Sequence, residues 1–241
     1  MAMTSSSWNG LALVVGAGGI GRALVPALRR RCGDLTVVLC GRQLPADEGW
    51  CVDLEDPRSL EALRHRVGEA PQPLRLVINA SGRLHGPGLQ PEKRLQQVRA
   101  EALAASYAIN AMAPLLLAQA LEPCLERERP FHFASLSARV GSIGDNHTGG
   151  WYAYRAAKAA QNQLLRCLSI EWARRYPQAC VTLLHPGTTD TALSRPFQSF
   201  VPPGKLFAPT RAAEQLLDVL LSQSAADSGA FLAWDGQAIP W

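Results

Sequence analysis

Leu11-Ala12-Leu13-Val14-Val15-Gly16-Ala17-Gly18-Gly19-Ile20-Gly21-Arg22-Ala23-Leu24-Val25-Pro26-Ala27-Leu28 is the stretch that decides the fold. Its first five residues are an unbroken apolar run, as expected of a strand buried on both faces. Glycines follow at once, and then a helical run. Pro26 sits in the first turns of that helix, where proline is better tolerated than later. The spacing Gly16-x-Gly18-x-x-Gly21 between strand and helix is the dinucleotide pattern. Glycines permit the tight turn and let backbone N–H groups approach a pyrophosphate at the helix N-terminus.

Further apolar runs at 36–39, 50–54, 74–78, 131–134, 181–184 and 231–233 read as strands. Between them, 57–67, 94–121, a segment opening at Trp151, and 210–221 read as helices, the last capped by Thr210. Pro114 stands four residues after Asn110 and predicts a kink, because proline frees the carbonyl four residues before it. Strands alternating with helices mean an α/β fold: one domain, 1–241, with a doubly wound seven-stranded parallel sheet covered by helices on both faces. Ligands of such sheets sit beyond the carboxyl ends of the strands. Gly16 to Gly21, Arg42, Asp53, Asn79, Ser137 and Thr188 all fall at those ends. The segment 187–209 holds few periodic signals and reads as a substrate loop or lid.

Tyr154 and Lys158 are four apart in a helical, alanine-rich run and share one face. Alone, such a pair is an ordinary surface neighbour. Beside a dinucleotide turn it suggests acid–base chemistry, with the ammonium lowering the phenol's pKa. Tyr154, Lys158, Gln161, Leu165, Leu168 and Trp172 make one stripe along the helix. His147 and His185 read as polar loop contacts, since the tyrosine already serves as acid.

Composition narrows the classes. Hydrophobic residues make up 47% and charged residues 18%, which suits a filled core rather than disorder. The net charge of +4 comes from arginines scattered along the chain, without aromatic interleaving, so no nucleic-acid partner is expected. No apolar run reads as a membrane span, and Met1 to Asn9 is polar without a signal-peptide core. The six cysteines lack metal-ligand spacing. They read as free thiols of a reducing cytoplasm, with no metal site.

The chain resembles the short-chain dehydrogenase/reductase family along nearly its whole length. The matching residues are Gly16 to Gly21, Asp53, Asn79-Ala80-Ser81-Gly82, Asn110, a serine after the fifth strand, Tyr154-x-x-x-Lys158 and Pro186-Gly187-Thr188. Within the family it looks like the C-factor-like subgroup, on Leu136-Ser137-Ala138-Arg139-Val140-Gly141-Ser142-Ile143, Gly149-Gly150-Trp151-Tyr152-Ala153-Tyr154 and Ala233-Trp234-Asp235-Gly236-Gln237. The resemblance implies a single Rossmann-like domain, a homodimer or homotetramer, and an NAD(P)-dependent oxidoreductase acting on a carbonyl or alcohol. It maps the catalytic set to Asn110, Ser137, Tyr154 and Lys158. The implied cofactor set is Gly16, Gly18, Gly19, Ile20, Gly21, Arg42, Asp53, Leu54, Asn79, Ala80, Ser81, Gly82, Tyr154, Lys158, Pro186, Gly187 and Thr188.

The chain departs from the family pattern in three places. The glycine loop is one residue short, so the basic residue often found inside it is absent. Ser81 interrupts the usual Asn-Ala-Gly run. Ser135, Ser137 and Ser142 all lie near the expected serine; Ser137 is preferred, as the residue directly after the strand end. Cys40-Gly41-Arg42 closes the second strand without the carboxylate that selects NAD. Arg42 there can meet a 2′-phosphate, so NADP is the preferred cofactor and NAD the second. The substrate pocket is expected along Leu84, His85, Val140, Ile143, Trp151 and the 190–209 loop. The rival to an enzyme is a dinucleotide-binding sensor or signalling protein with little turnover.

Overall fold

A computed structural model describes residues 8–87 and 89–241. Residues 1–7 of the polar N-terminal stretch, and Gly88 of the loop before Pro91, lie outside the described residues. Seven strands form the main sheet: β1 (Gly10–Val15), β2 (Leu35–Gly41), β3 (Trp50–Cys51), β4 (Leu74–Asn79), β5 (Phe131–Leu136), β6 (Ala179–His185) and, last in the chain, β9 (Ala230–Ala233). Their order is β3-β2-β1-β4-β5-β6-β9, and every pairing is parallel. The order reverses between β1 and β4, and the crevice beyond that point is where such sheets bind ligands.

Two helical layers cover the sheet. Leu11, Leu13 and Val15 face the layer of α2 (Pro57–Gly68), α4 (Ala113–Leu121) and α5 (Tyr152–Arg175), packing with Leu63, Leu117, Leu165 and Trp172. Ala12 and Val14 face α1 (Gly19–Arg31) and α6 (Pro209–Ser222), packing with Leu24, Leu28, Leu216 and Leu220. A strand points successive side chains to opposite faces, so one apolar run serves both layers.

Four expectations are corrected in detail. The third strand ends at Cys51 rather than residue 54, because Ser59 Oγ takes the Asp53 N–H (2.8 Å) and turns the chain out of the sheet. The helix expected over 94–121 starts only at α3 (Ala100–Tyr107). A π turn (Ala108–Met112) then separates α3 from α4, and the Ala113 N–H reaches back to Ala108 O. Asn110 lies inside that turn, so the helix irregularity expected before Pro114 takes the form of a π bulge. The helix α6 is entered through Ala208 with Pro209 in its first turn, so Thr210 is not its cap. Finally, Ala100–Cys124 is long and apolar enough to cross a membrane by length and composition. In the fold Ala113, Leu117 and Leu121 of this segment pack into the core against the sheet.

The 187–209 loop has an anchored base. Within it β7 (Thr188–Thr189) pairs in parallel with β8 (Leu206–Phe207), enclosing a short 3₁₀ turn at Arg195–Phe200.

Candidate active site

Steric limits build the glycine turn. Gly16 has φ +115°, where L side chains are strained. A Cβ on Gly21 would lie 1.8 Å from Gly16 O, so only glycine lets α1 start this close to β1. A Cβ on Gly18 would meet nothing within 4 Å. The turn therefore presents open backbone at the start of α1, a cradle that fits the pyrophosphate of a dinucleotide. Thr191 of the lid lies over it, since a Cβ on Gly19 would come within 2.8 Å of Thr191 Cγ2.

At the adjacent end of β2, a Cβ on Gly41 would come within 2.7 Å of Ala17 Cβ. Arg42 follows, 62% exposed, with Nη1 3.9 Å from a Glu55 carboxylate oxygen. A cation unnoticed in the sequence sits on the glycine turn: Arg22 donates from Nε to Ala17 O (3.1 Å) and from Nη1 to Glu48 Oε2 (2.7 Å). Its signal was its place in the first turn of α1, directly after Gly21. Asp53 is held at the end of β3 by the Ser59 bond, with Leu54 buried beside it.

At the end of β4, Asn79 is fully buried. Its Oδ1 accepts from Ser81 N (3.2 Å) and Ser81 Oγ (2.6 Å). Ser81 thus completes the turn by which Asn79, Ala80, Ser81 and Gly82 leave the strand. Asn110 Oδ1 accepts from Arg83 N (2.9 Å), and its Nδ2 donates to Arg83 O (2.8 Å). The amide side chain at the π bulge thereby clamps the backbone just past Gly82. A Cβ on Gly82 would sit 3.3 Å from Asn110 Oδ1 and 3.8 Å from Lys158 Nζ, so these groups converge on one point.

The helix α5 begins after three left-handed residues: Gly149 (φ +63°), Gly150 (φ +66°) and Trp151 (φ +50°). A left-handed non-glycine residue of this kind costs of order 1–3 kcal/mol and persists only where its surroundings hold it. Glu92 supplies the hold. Its carbonyl accepts from Trp151 N, and its buried carboxylate caps the helix by accepting from Ala153 N (3.2 Å). Tyr154 and Lys158 follow on the buried face, with Lys158 Nζ 5.7 Å from the Tyr154 ring centroid.

The expected lowering of the tyrosine pKa is not found. Burial pushes the phenol up from its ordinary value, and the same burial pulls Lys158 down to about 7. The ammonium bonds neither the phenol nor a carboxylate. It donates to Leu136 O and Gln161 Oε1, each at 2.9 Å.

The three serines separate cleanly. Ser135 lies inside β5 and accepts from Asn79 Nδ2 (2.9 Å) and Gln161 Nε2 (2.7 Å). Ser142 is buried and accepts from Asp145 N (3.1 Å). Ser137, the first residue past β5, lines the same cleft as Tyr154 and donates to Asn162 Oδ1 (2.6 Å). Neither Gln161 nor Asn162 was singled out as a polar partner from the sequence, although Gln161 had been placed on the Tyr154 stripe.

Comparison with known proteins agrees with this geometry. A model of the short chain dehydrogenase family matches residues 10–201. The chain belongs to the short-chain dehydrogenase family. It is 30% identical over 192 residues to 1-hydroxy-2-glutathionyl-2-methyl-3-butene dehydrogenase of Rhodococcus sp. (strain AD45), covering 79% of this chain and 78% of that protein. It is 33% identical over 140 residues to C-signal of Myxococcus xanthus, covering 58% of this chain and 78% of that protein, a relative of the expected C-factor-like kind. Among solved structures it superposes on NADPH-bound carbonyl reductase from chicken fatty liver with a TM-score of 0.78 and 26% identity, over 97% of this chain and 99% of the other. It is therefore an NAD(P)-dependent oxidoreductase with the Rossmann-like fold of that family.

This short-chain dehydrogenase has a cleft of about 410 Å³ beside its tyrosine. Leu84, Val140, Trp151, Leu193 and Phe197 give it apolar walls, with Ser137, Tyr154 and Thr188 among its polar groups. Two expected lining residues are not there. Ile143 is 77% exposed, and His85 lies at the rim, bonded to Ala192 O of the lid (3.1 Å). The lid is closed by aromatic contact: Phe197 lies 4.9 Å from Trp151 and 6.0 Å from His85 between ring centroids. Below it, Pro186 and Gly187 turn against Phe207 and Trp234; a Cβ on Gly187 would come within 2.5 Å of the Phe207 ring. His185, expected as a loop contact, closes β6 on the cleft wall with its Nδ1 unpartnered and burial holding its pKa down to about 4.

Proposed function

We propose that this enzyme reduces a carbonyl compound, with Tyr154 as the proton donor and NADP(H) as its preferred cofactor. The observation that carries the reading is the convergence of Tyr154 and Ser137 on one partly apolar cleft beside the glycine cradle, with Lys158 buried beneath it near Gly82. The backbone of Gly16, Gly18, Gly19, Ile20 and Gly21 would hold the pyrophosphate, and Asp53, Leu54 and the Asn79–Gly82 turn the adenosine side. Arg42 would meet a 2′-phosphate. Lys158 would hold the nicotinamide ribose, and Pro186, Gly187 and Thr188 the carboxamide side. When bound, the nicotinamide supplies the hydride.

Tyr154 then gives its phenolic proton to the oxygen that gains negative charge. A phenol kept protonated by burial suits that role at neutral pH. Ser137 fixes the carbonyl oxygen, its hydroxyl turning from Asn162 to do so. Asn110 holds the chain past Gly82 from within the π bulge, where it would help seat a water that resupplies the proton to Tyr154. The lid, resting on Trp151 through Phe197, excludes water from the cleft. The apolar walls favour a carbonyl with hydrophobic or aromatic substituents. The solved carbonyl reductase above carries NADPH, which supports this choice of cofactor and direction. Exposed Leu103, Tyr107, Met112 and Ile170 on α3, the π turn and α5 support an oligomer, which light scattering would size.

The test is a panel of aldehydes and ketones assayed with NADPH and NADH, run on wild type and Tyr154→Phe. We expect turnover that falls about 10²–10⁴-fold in the variant with cofactor affinity kept, the usual share of a positioned general acid. Near-wild-type turnover in Tyr154→Phe would remove the tyrosine from the mechanism. Tight cofactor binding with no turnover of any carbonyl would favour the sensor or signalling reading instead.

A further inference from the structure

We propose that Gln161 is a positioning residue: it holds the Lys158 side chain and ties it to the turn at the end of β4. The proposal rests on the reading of Lys158 as the residue that holds the cofactor ribose. Gln161 is fully buried, one helical turn past Lys158 on the same face of α5. An amide taken out of water without partners costs roughly 1–3 kcal/mol by protein mutational measures. Here its hydrogen-bonding groups are used. Its Oε1 accepts from Lys158 Nζ (2.9 Å), while its Nε2 donates to Ser135 Oγ (2.7 Å) and more weakly to Leu136 O (3.3 Å).

The chain of bonds continues past Gln161. Ser135 Oγ also accepts from Asn79 Nδ2 (2.9 Å), and Asn79 Oδ1 accepts from Ser81. Five residues thus run in one line from the lysine under the cleft to the Asn79–Gly82 turn. A leucine at 161 would fill much the same space and pack with the stripe below it, so packing alone gives no reason for an amide.

Two acceptors occupy two of the three ammonium hydrogens and leave one uncommitted. Among the described residues no carboxylate lies within salt-bridge distance of Lys158, Tyr154 faces it through its ring, and burial alone accounts for its lowered pKa. Gln161 Oε1 and Leu136 O are therefore the groups that favour the charged form of the amine against that burial. Without Oε1 the charge is lost at a lower pH, and the side chain is free to leave the ribose position.

The protein has three lysines, Lys93, Lys158 and Lys205, so ¹³C-lysine labelling gives three resolvable signals. Loss of one in Lys158→Arg assigns it. We expect the Lys158 titration midpoint to fall by about one pH unit, a tenfold change in proton affinity, in Gln161→Leu. It should rise by a similar amount in Gln161→Glu. Binding of NADPH, followed by fluorescence, should weaken in Gln161→Leu above neutral pH and hold to higher pH in Gln161→Glu. A wild-type midpoint in both variants overturns the proposal and leaves Gln161 as packing. If Gln161→Leu does not fold, Gln161→Glu decides alone: a raised midpoint supports the proposal and an unchanged one overturns it. Should wild type bind no dinucleotide at all, the functional reading fails, while the lysine titration still judges Gln161.

Discussion

Replacing Arg42 with alanine tests how this enzyme chooses its cofactor. The residue follows the end of β2, where a carboxylate would have repelled a 2′-phosphate, and Gly41 before it packs on Ala17 of the glycine turn. A charge-assisted hydrogen bond is worth roughly 1.5–3 kcal/mol. Arg42 is 62% exposed and has Glu55 3.9 Å away as a competing partner, so the lower end applies. About 1.4 kcal/mol is tenfold in affinity. We therefore expect wild type to bind NADPH about tenfold more tightly than NADH at low salt, and Arg42→Ala to lose most of that ratio with NADH affinity nearly unchanged. The ratio should shrink as salt rises, because the contact is exposed. Arg22 is the second charge beside this site, tied to Glu48 at 2.7 Å. Glu48→Gln should free it and raise the NADPH ratio. Calorimetric titration of both cofactors into each variant reads these numbers directly. An Arg42→Ala protein that keeps the wild-type ratio would refute the assignment of Arg42 to the phosphate.

Other substitutions test the scaffold. His132 is fully buried against Thr182, and burial holds its pKa down to about 4, so the unfolded chain binds more protons between pH 6.5 and 4. Stability present above pH 6.5 should fall by about 3 kcal/mol on acidification to pH 4, and His132→Gln should flatten that slope in denaturant titrations; equal slopes would show that another group titrates. Gly21→Ala places a Cβ 1.8 Å from Gly16 O, so it should abolish tight dinucleotide binding and lower the thermal midpoint. Unchanged binding would mean the turn can relax. Glu92→Ala removes the cap on Ala153 N and should cost about 1 kcal/mol in stability, with turnover falling more than cofactor affinity, while Glu92→Gln keeps the acceptor and most of both.

The fold was legible because its signals are local and repeated. An unbroken apolar run such as 11–15 admits few readings, and seven short, mainly apolar runs alternating with helical ones leave one architecture. The ends of those strands could be named from the sequence, and the structure brings Gly16, Arg42, Asp53, Asn79, Ser137 and Thr188 to one edge of the sheet. Local signals failed where a residue outside the element decides the outcome. Ser59 ends β3 early by taking the Asp53 N–H, and Glu92 caps a helix sixty-one residues further on. Ser135, Ser137 and Ser142 are alike in sequence. Only the partners Asn79, Gln161, Asn162 and Asp145, drawn from three separate segments, tell them apart.

The tyrosine–lysine pair carries the same lesson into chemistry. Spacing of four puts Tyr154 and Lys158 on one face, and from that alone a cation beside a phenol should make it more acidic. The helix face then turns out to be buried under the end of β5, where desolvation disfavours both charged forms. The lysine bonds Leu136 O and Gln161 Oε1 rather than the phenol. A group that stays protonated across neutral pH is a donor first and a base second. The burial that cancels the simple electrostatic expectation is thus what suits the phenol to the proton-donor role proposed for Tyr154.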